Sequence, residues 1–226
     1  AGYAVEKRAG RFSASAVDDR SSSERKGRWG RFQEQVFLNL FPLLRPLLPA
    51  PQGMVIGFCW PFKAEFDARH ALRHWRDQGA VAALPEVTGK DQPLRFSQWW
   101  PGAVMKRGVY DIPVPDGTPV VLPDIAIVPM NACDGRGYRL GYGGGYFDRT
   151  LAALERRVVA IGVTWDACLV QSIFPQTHDI AMDLIVTEAG VYAAGGEPLQ
   201  RLAGAAAVAR VESLLRQRDL PRGSAQ

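Results

Sequence analysis

Met54-Val-Ile-Gly-Phe-Cys-Trp60 is a run of seven residues without a charge or an amide side chain. It is too short for a buried helix and lacks the alternation of a half-solvated strand, so it reads as a strand covered on both faces. Ala68–Gln78 follows with helical spacing, and Gly79 stands where a helix commonly ends. Val81–Leu84 is a second apolar run, which Pro85 is expected to stop. Strand, helix and strand within about 30 residues form a βαβ unit.

The same pattern recurs on either side. Ile125–Pro129, Val158–Thr164 and Ile180–Val186 predict further buried strands, and Leu94–Trp100 a less buried one before a Pro- and Gly-rich loop from Pro101 to Pro123. Helices are expected at Arg149–Arg156 and Leu199–Gln217, and over Trp29–Leu48, where Phe32, Val36, Phe37, Leu40 and Leu44 share one face and Pro46 ends the run. Alternating strands and helices imply an α/β fold: a three-layer open, mostly parallel sheet with helices on both faces. No Pro/Ser-rich linker divides the middle, so residues 31–218 are expected to form one domain. A basic segment, 1–30, precedes it and a short tail, 219–226, follows.

Composition narrows the function. The chain has 226 residues, of which 47% are hydrophobic and 22% charged, with a net charge of +4. Its basic residues are scattered, and the densest stretch, Arg20 to Arg31, lacks the interleaved aromatics of a base-binding strip, which argues against nucleic acid. Cys59, Cys133 and Cys168 are too few and too far apart for a disulfide framework or a zinc site, as in a reducing compartment. No apolar run approaches the roughly 20 residues of a membrane span, and Val36–Leu48 is broken by Asn39, Pro42, Arg45 and Pro46. A soluble, cytoplasmic protein without a membrane partner is expected. Oligomeric state is not legible.

The chemistry concentrates in Asp134-Gly-Arg-Gly-Tyr-Arg-Leu-Gly-Tyr-Gly-Gly-Gly-Tyr-Phe-Asp-Arg149. It follows a predicted strand and enters a predicted helix, the place where open α/β sheets bind ligands. Gly141, Gly143, Gly144 and Gly145 leave backbone N–H groups bare to approach phosphate oxygens, and the helix offers its positive end to the same anion. Arg139 and Arg149 add fixed charge and fork-like donors. Asp148, at the loop–helix junction, suits a magnesium ion. A surface turn with Asp148 as a plain helix cap is the alternative that these residues leave open. The string is neither a Walker loop, since no Gly-Lys-Ser/Thr follows, nor a dinucleotide fingerprint.

Arg139 to Leu151, RLGYGGGYFDRTL, resembles the signature of the 5-formyltetrahydrofolate cyclo-ligases, and the resemblance extends over about 160 residues. Pro123-Asp124, the IAIVP strand and Asp134 resemble the family's approach to its loop. Arg95-Phe96 to Trp99 and Ile112-Pro-Val-Pro115 resemble its middle section, and His178-Asp179 with Ile185-Val-Thr-Glu188 its closing section. The resemblance implies ATP-driven cyclisation of 5-formyltetrahydrofolate to 5,10-methenyltetrahydrofolate, with Mg2+ as cofactor and ATP and a reduced folate as small-molecule partners. It implies that Arg139, Leu140, Gly141, Tyr142, Gly143, Gly144, Gly145, Tyr146 and Phe147 hold ATP. Lys7 and Arg11, four residues apart like a pair in the family's first helix, are expected to reach it too. Glu65 and Tyr142 to Tyr146 would border the folate, Asp148 and Asp179 would hold the metal, and Arg139 and Asp148 would be catalytic.

Other residues have plainer readings. Asp67 suits a helix cap, and the His178-Asp179 pair is given no catalytic part. His70 and His74 could share a helix face but lack a third metal ligand. Trp60, Phe62, Trp99 and Trp100 suit the core or a pterin-pocket wall. The chain departs from the family's pattern at Gly10, at Gly144, where some relatives carry lysine, and at Met130–Cys133. These departures keep open a divergent paralogue using ATP and Mg2+ on another metabolite, and a non-catalytic folate- or nucleotide-binding protein.

Overall fold

A computed structural model of the protein describes residues 40–61, 65–195 and 199–217. Its centre is an eight-stranded sheet in the order β13-β12-β11-β9-β6-β1-β2-β3. The middle strands are β1 (Val55–Phe58), β2 (Val81–Val87), β6 (Ile125–Pro129), β9 (Val159–Val163) and β11 (Leu184–Thr187). All of them run parallel. Antiparallel strands flank them, β3 (Leu94–Trp99) beside β2, and β12 (Gly190–Ala193) then β13 (Gln200–Leu202) beside β11.

Alternation along the strands divides the core in two. Ile56, Phe58, Ile125, Ile127, Val159, Ile161 and Val163 face one way. They meet Leu40, Leu44 and Leu47 of the first helical segment, Ala71, Leu72 and Trp75 of helix α1 (Arg69–Arg76), and Ala207, Val211 and Leu214 of helix α3 (Gly204–Gln217). Ala126, Val128 and Ala160 face the other way, onto Leu151 of helix α2 (Tyr146–Ala153), Met130 and Met182. Helices therefore cover both faces, as expected, but unequally. The second layer is thin enough that a Cβ on Gly57 would stand 2.7 Å from the Phe96 ring, and one on Gly162 2.5 Å from the Met130 sulfur.

The boundaries differ from the sequence reading in instructive ways. Pro85 does not stop β2; it pairs in register with Phe96, and the strand runs on to Val87. Pairing with β1 ends at Ala83, so Pro85 sits where, among the described residues, β2 pairs with β3 alone and a missing N–H costs little. Gln200–Leu202, expected as part of a helix from Leu199, forms β13 before α3 begins at Gly204. The fifth buried strand starts at Leu184 rather than Ile180, and α2 starts at Tyr146. Within the Pro- and Gly-rich loop lies a hairpin of β4 (Met105–Arg107) and β5 (Pro113–Pro115). Beyond β6, β7 (Ala132–Asp134), β8 (Arg139–Leu140) and β10 (Leu169–Val170) form a small separate sheet. Among the described residues no helix is long and apolar enough to cross a membrane.

Candidate active site

The glycine loop is anchored from below. Asp134, fully buried, accepts hydrogen bonds on Oδ1 from the N–H groups of Arg136 and Tyr138, both at 3.1 Å, and closes the β7–β8 turn. Gly137, at φ +89°, packs so tightly that a Cβ there would stand 2.5 Å from that of Ala194. Its carbonyl accepts the N–H of Met182, tying the turn to the chain entering β11.

β8 delivers Arg139 under the loop. Its side chain is 7% exposed; Nη2 meets Asp148 Oδ1 at 2.9 Å and Nη1 donates to the Ile180 carbonyl at 2.9 Å. The Ile180 N–H donates to the same Oδ1 at 3.0 Å. The guanidinium also lies 5.8 Å from the centre of the Phe147 ring. Arg139, Asp148 and the Asp179–Ile180 peptide thus form one cluster from three separate stretches of chain. Asp148 Oδ2 has no hydrogen bond among the described residues. Asp179 uses Oδ2 to accept the Gln176 N–H at 2.7 Å, and its Oδ1 is 3.8 Å from His178 Nε2. No third acid joins these two as a metal-binding group among the described residues. Asp148, with an open oxygen, and Asp179, whose following residue bonds it, supply the two carboxylates Mg2+ takes when water and phosphate complete its shell, so the residues fit that ion.

Above this cluster the backbone turns through the glycines. Gly143 (φ +85°) and Gly145 (φ +60°) lie in the left-handed region that favours glycine. Gly144 is required for another reason: a Cβ there would stand 2.7 Å from the Tyr146 ring. The N–H groups of Gly143, Gly144 and Gly145 donate to no protein acceptor among the described residues. Three consecutive unpaired donors leading into α2 make an anion cradle. Leu140 and Gly141 are exposed beside it.

Two side chains frame the loop. The Tyr142 hydroxyl is pushed up to about 12, by desolvation and then by the Glu65 carboxylate. Tyr146 is likewise raised, first by desolvation and then by the neighbouring Tyr110 hydroxyl. Tyr110 (φ +62°) and Asp111 (φ +59°) are non-glycine residues held in the left-handed region, a strain tolerated where neighbours fix it. Between them and the loop opens a cleft of about 500 Å³ lined by Thr88, Lys90, Asp91, Tyr110, Gly144 and Tyr146. The sequence reading missed Thr88, Lys90, Asp91 and Tyr110. A signal existed for Tyr110 alone: it stands two residues before Ile112-Pro-Val-Pro115.

Other candidates fall into place. Burial, then the charge of Glu65, pushes the Cys59 thiol up, and burial pushes Cys133 up to about 12, so neither is poised as a nucleophile. Asp67 takes a bidentate ion pair from Arg69 (2.8 and 2.6 Å) and accepts the Arg69 N–H, but the cap position itself falls to Ala68, so Asp67 braces α1 from one residue ahead of it. Arg69 in turn stacks 4.5 Å over Trp60, which meets Trp99 edge-on, while Trp100 is 40% exposed. His74 bonds Gln78 at the surface. Lys7, Arg11 and Phe62 lie outside the described residues.

The profile of the 5-formyltetrahydrofolate cyclo-ligase family matches residues 51–188. A 5-formyltetrahydrofolate cyclo-ligase of Mycolicibacterium smegmatis is 32% identical over 48% of this chain, and the match spans 60% of that relative's length. One from Haemophilus influenzae is 31% identical over 62% of this chain and 79% of its own. The NMR structure of Aquifex aeolicus 5,10-methenyltetrahydrofolate synthetase superposes with a TM-score of 0.54 at 22% identity, covering 80% of this chain and 92% of that one, which supports the fold. By the profile match the chain belongs to the 5-formyltetrahydrofolate cyclo-ligase family.

Proposed function

We propose that this chain catalyses the ATP-dependent cyclisation of 5-formyltetrahydrofolate to 5,10-methenyltetrahydrofolate, releasing ADP and phosphate. The observation that carries the reading is the row of unpaired N–H groups at Gly143–Gly145, set beside a cleft walled by Tyr110 and Tyr146. Each half suits one substrate: the amides suit a triphosphate, and the two phenol rings suit a flat heterocycle.

In the reaction, the formyl oxygen attacks the γ-phosphorus and the bond to the ADP oxygen breaks. N10 then adds to the activated carbon and loses its proton, and the C–O bond to phosphate breaks to leave the methenyl bridge. Such chemistry needs positioning and neutralisation of charge rather than a nucleophilic side chain. The glycine amides hold the phosphates, and Arg139, buried beneath them, contributes fixed positive charge while it orients Asp148. Glu65 and Tyr142 border the folate in this reading. Mg2+, held by Asp148 and Asp179, would supply further neutralisation of the phosphate charge. Lys7 and Arg11 complete the ATP contacts in this reading.

The test is absorbance in the methenyl-folate band after mixing protein, 5-formyltetrahydrofolate, ATP and Mg2+. A rise that requires ATP is expected. No rise from folded protein that still binds ATP would reject the reaction and favour a paralogue with another substrate.

A further inference from the structure

The two arginines of the loop look alike in sequence and differ in space. Arg139 is buried under the cluster, whereas Arg149 leaves the first turn of α2 and wraps back around the outside of the glycine turn. Its Nη2 donates to the Gly144 carbonyl at 2.5 Å, and its backbone N–H donates to the Gly145 carbonyl at 3.1 Å. Its guanidinium stacks 5.1 Å from the centre of the Tyr146 ring. Its Nη1 fills the space beside Gly145, where an added Cβ would stand 3.0 Å from it. Asp91, at 3.9 Å, is its one carboxylate neighbour among the described residues.

A trans peptide points its C=O and N–H in opposite directions. Fixing the Gly144 carbonyl from behind therefore turns the Gly145 N–H to the opposite side, and that N–H is one of the three unpaired donors. We propose that Arg149 is a positioning residue for the anion cradle: it clamps the Gly144–Gly145 peptide plane so that the Gly145 amide faces the triphosphate, and it does not itself ligate phosphate. The inference rests on the function proposed above for what the cradle holds, but the clamp is a property of the unliganded protein.

The experiment compares the wild type with Arg149→Ala and Arg149→Lys, each labelled with 15N-glycine, in two readouts. The first is the amide spectrum without ligand, with Gly57 and Gly162 in the core as references. The clamp predicts that Gly145 shifts or broadens in both variants while the references stay. The second is the dissociation constant for ATP with Mg2+ by calorimetry. Lysine keeps the charge but not the planar fork, so a clamp predicts that both variants lose about tenfold, the scale of one well-made hydrogen bond. Lysine retaining wild-type affinity would overturn the proposal, because charge alone would then suffice. An unmoved Gly145 resonance would overturn it as well. A shifted Gly145 in a protein whose wild type does not bind ATP would leave the clamp standing and bring down the proposed reaction instead.

Discussion

Acid–arginine pairs stand at both ends of the central sheet, and only one end is open. At the amino end, Asp124 accepts the Val55 N–H at 2.7 Å on one oxygen and meets Arg156 at 2.7 Å on the other. Asp183 repeats the arrangement with the Ala160 N–H and Arg157. Each carboxylate there is spent on both oxygens, and each ties the start of one strand to its neighbour. At the carboxyl end, Arg139 and Asp148 make an equally good pair, yet Asp148 keeps Oδ2 open and three glycine amides beside it go unpaired. The same ionic chemistry fastens the fold at one end and frames a binding site at the other. What separates them is hydrogen-bonding capacity that the protein leaves unused and accessible to a ligand.

Breaking the amino end should cost stability and little else. Asp124→Ala strips the partner from the Val55 N–H and from Arg156, and about 2–3 kcal/mol of unfolding free energy is expected to go, below the usual loss for a buried pair because Arg156 is partly solvated. Urea unfolding measures it; an unchanged midpoint would show that the pair is ornamental.

A smaller effect is expected within the carboxyl end itself, where Leu94 pairs with Val87. Thr150, buried, donates its hydroxyl to the Tyr146 carbonyl at 2.6 Å and accepts the Leu94 N–H at 2.8 Å, bolting α2 to the edge strand β3. Thr150→Val should lose about 1–2 kcal/mol, while Thr150→Ser keeps most of it. Equal losses in the two variants would point to packing rather than to the hydroxyl.

The smallest effect concerns Asp67, a closed pair near the open end. Burial pushes its carboxyl up, but the Arg69 hydrogen bonds and charge outweigh this and hold it below the usual carboxylate value. A depressed folded pKa means that the stabilisation is present above the unfolded pKa of about 3.9 and is lost as pH falls through the folded value. The stability difference between wild type and Asp67→Asn should therefore be constant near neutrality and shrink below about pH 4. A difference that persists into stronger acid would contradict the assignment.

Legibility in the sequence followed locality. Continuous apolar strands such as IAIVP and the glycine string carry their meaning in adjacent residues, so the parallel centre of the sheet and the loop at its carboxyl end could be read directly. Pro85 misled because its tolerance depends on where β1 stops pairing, a fact of register rather than of residue type. Leu199 and Leu202 misled because their spacing fits the helix that follows as well as the short edge strand that ends at Leu202. Asp148 was legible beside its glycines, but that Asp124 and Asp183 fasten strand starts was not, since the amides they accept lie 69 and 23 residues away. The cleft wall at Tyr110 was hidden likewise, in a hairpin folded back from a Pro-rich stretch.

The contrast between the two ends is tested most directly by turnover per folded molecule. Methenyl-folate formation would be followed for the wild type, Asp124→Ala and Asp148→Ala below the temperature at which any of them unfolds. The account predicts wild-type turnover in Asp124→Ala and a loss of about a hundredfold or more in Asp148→Ala. Equal turnover in the two variants, or a larger loss at Asp124, would contradict it.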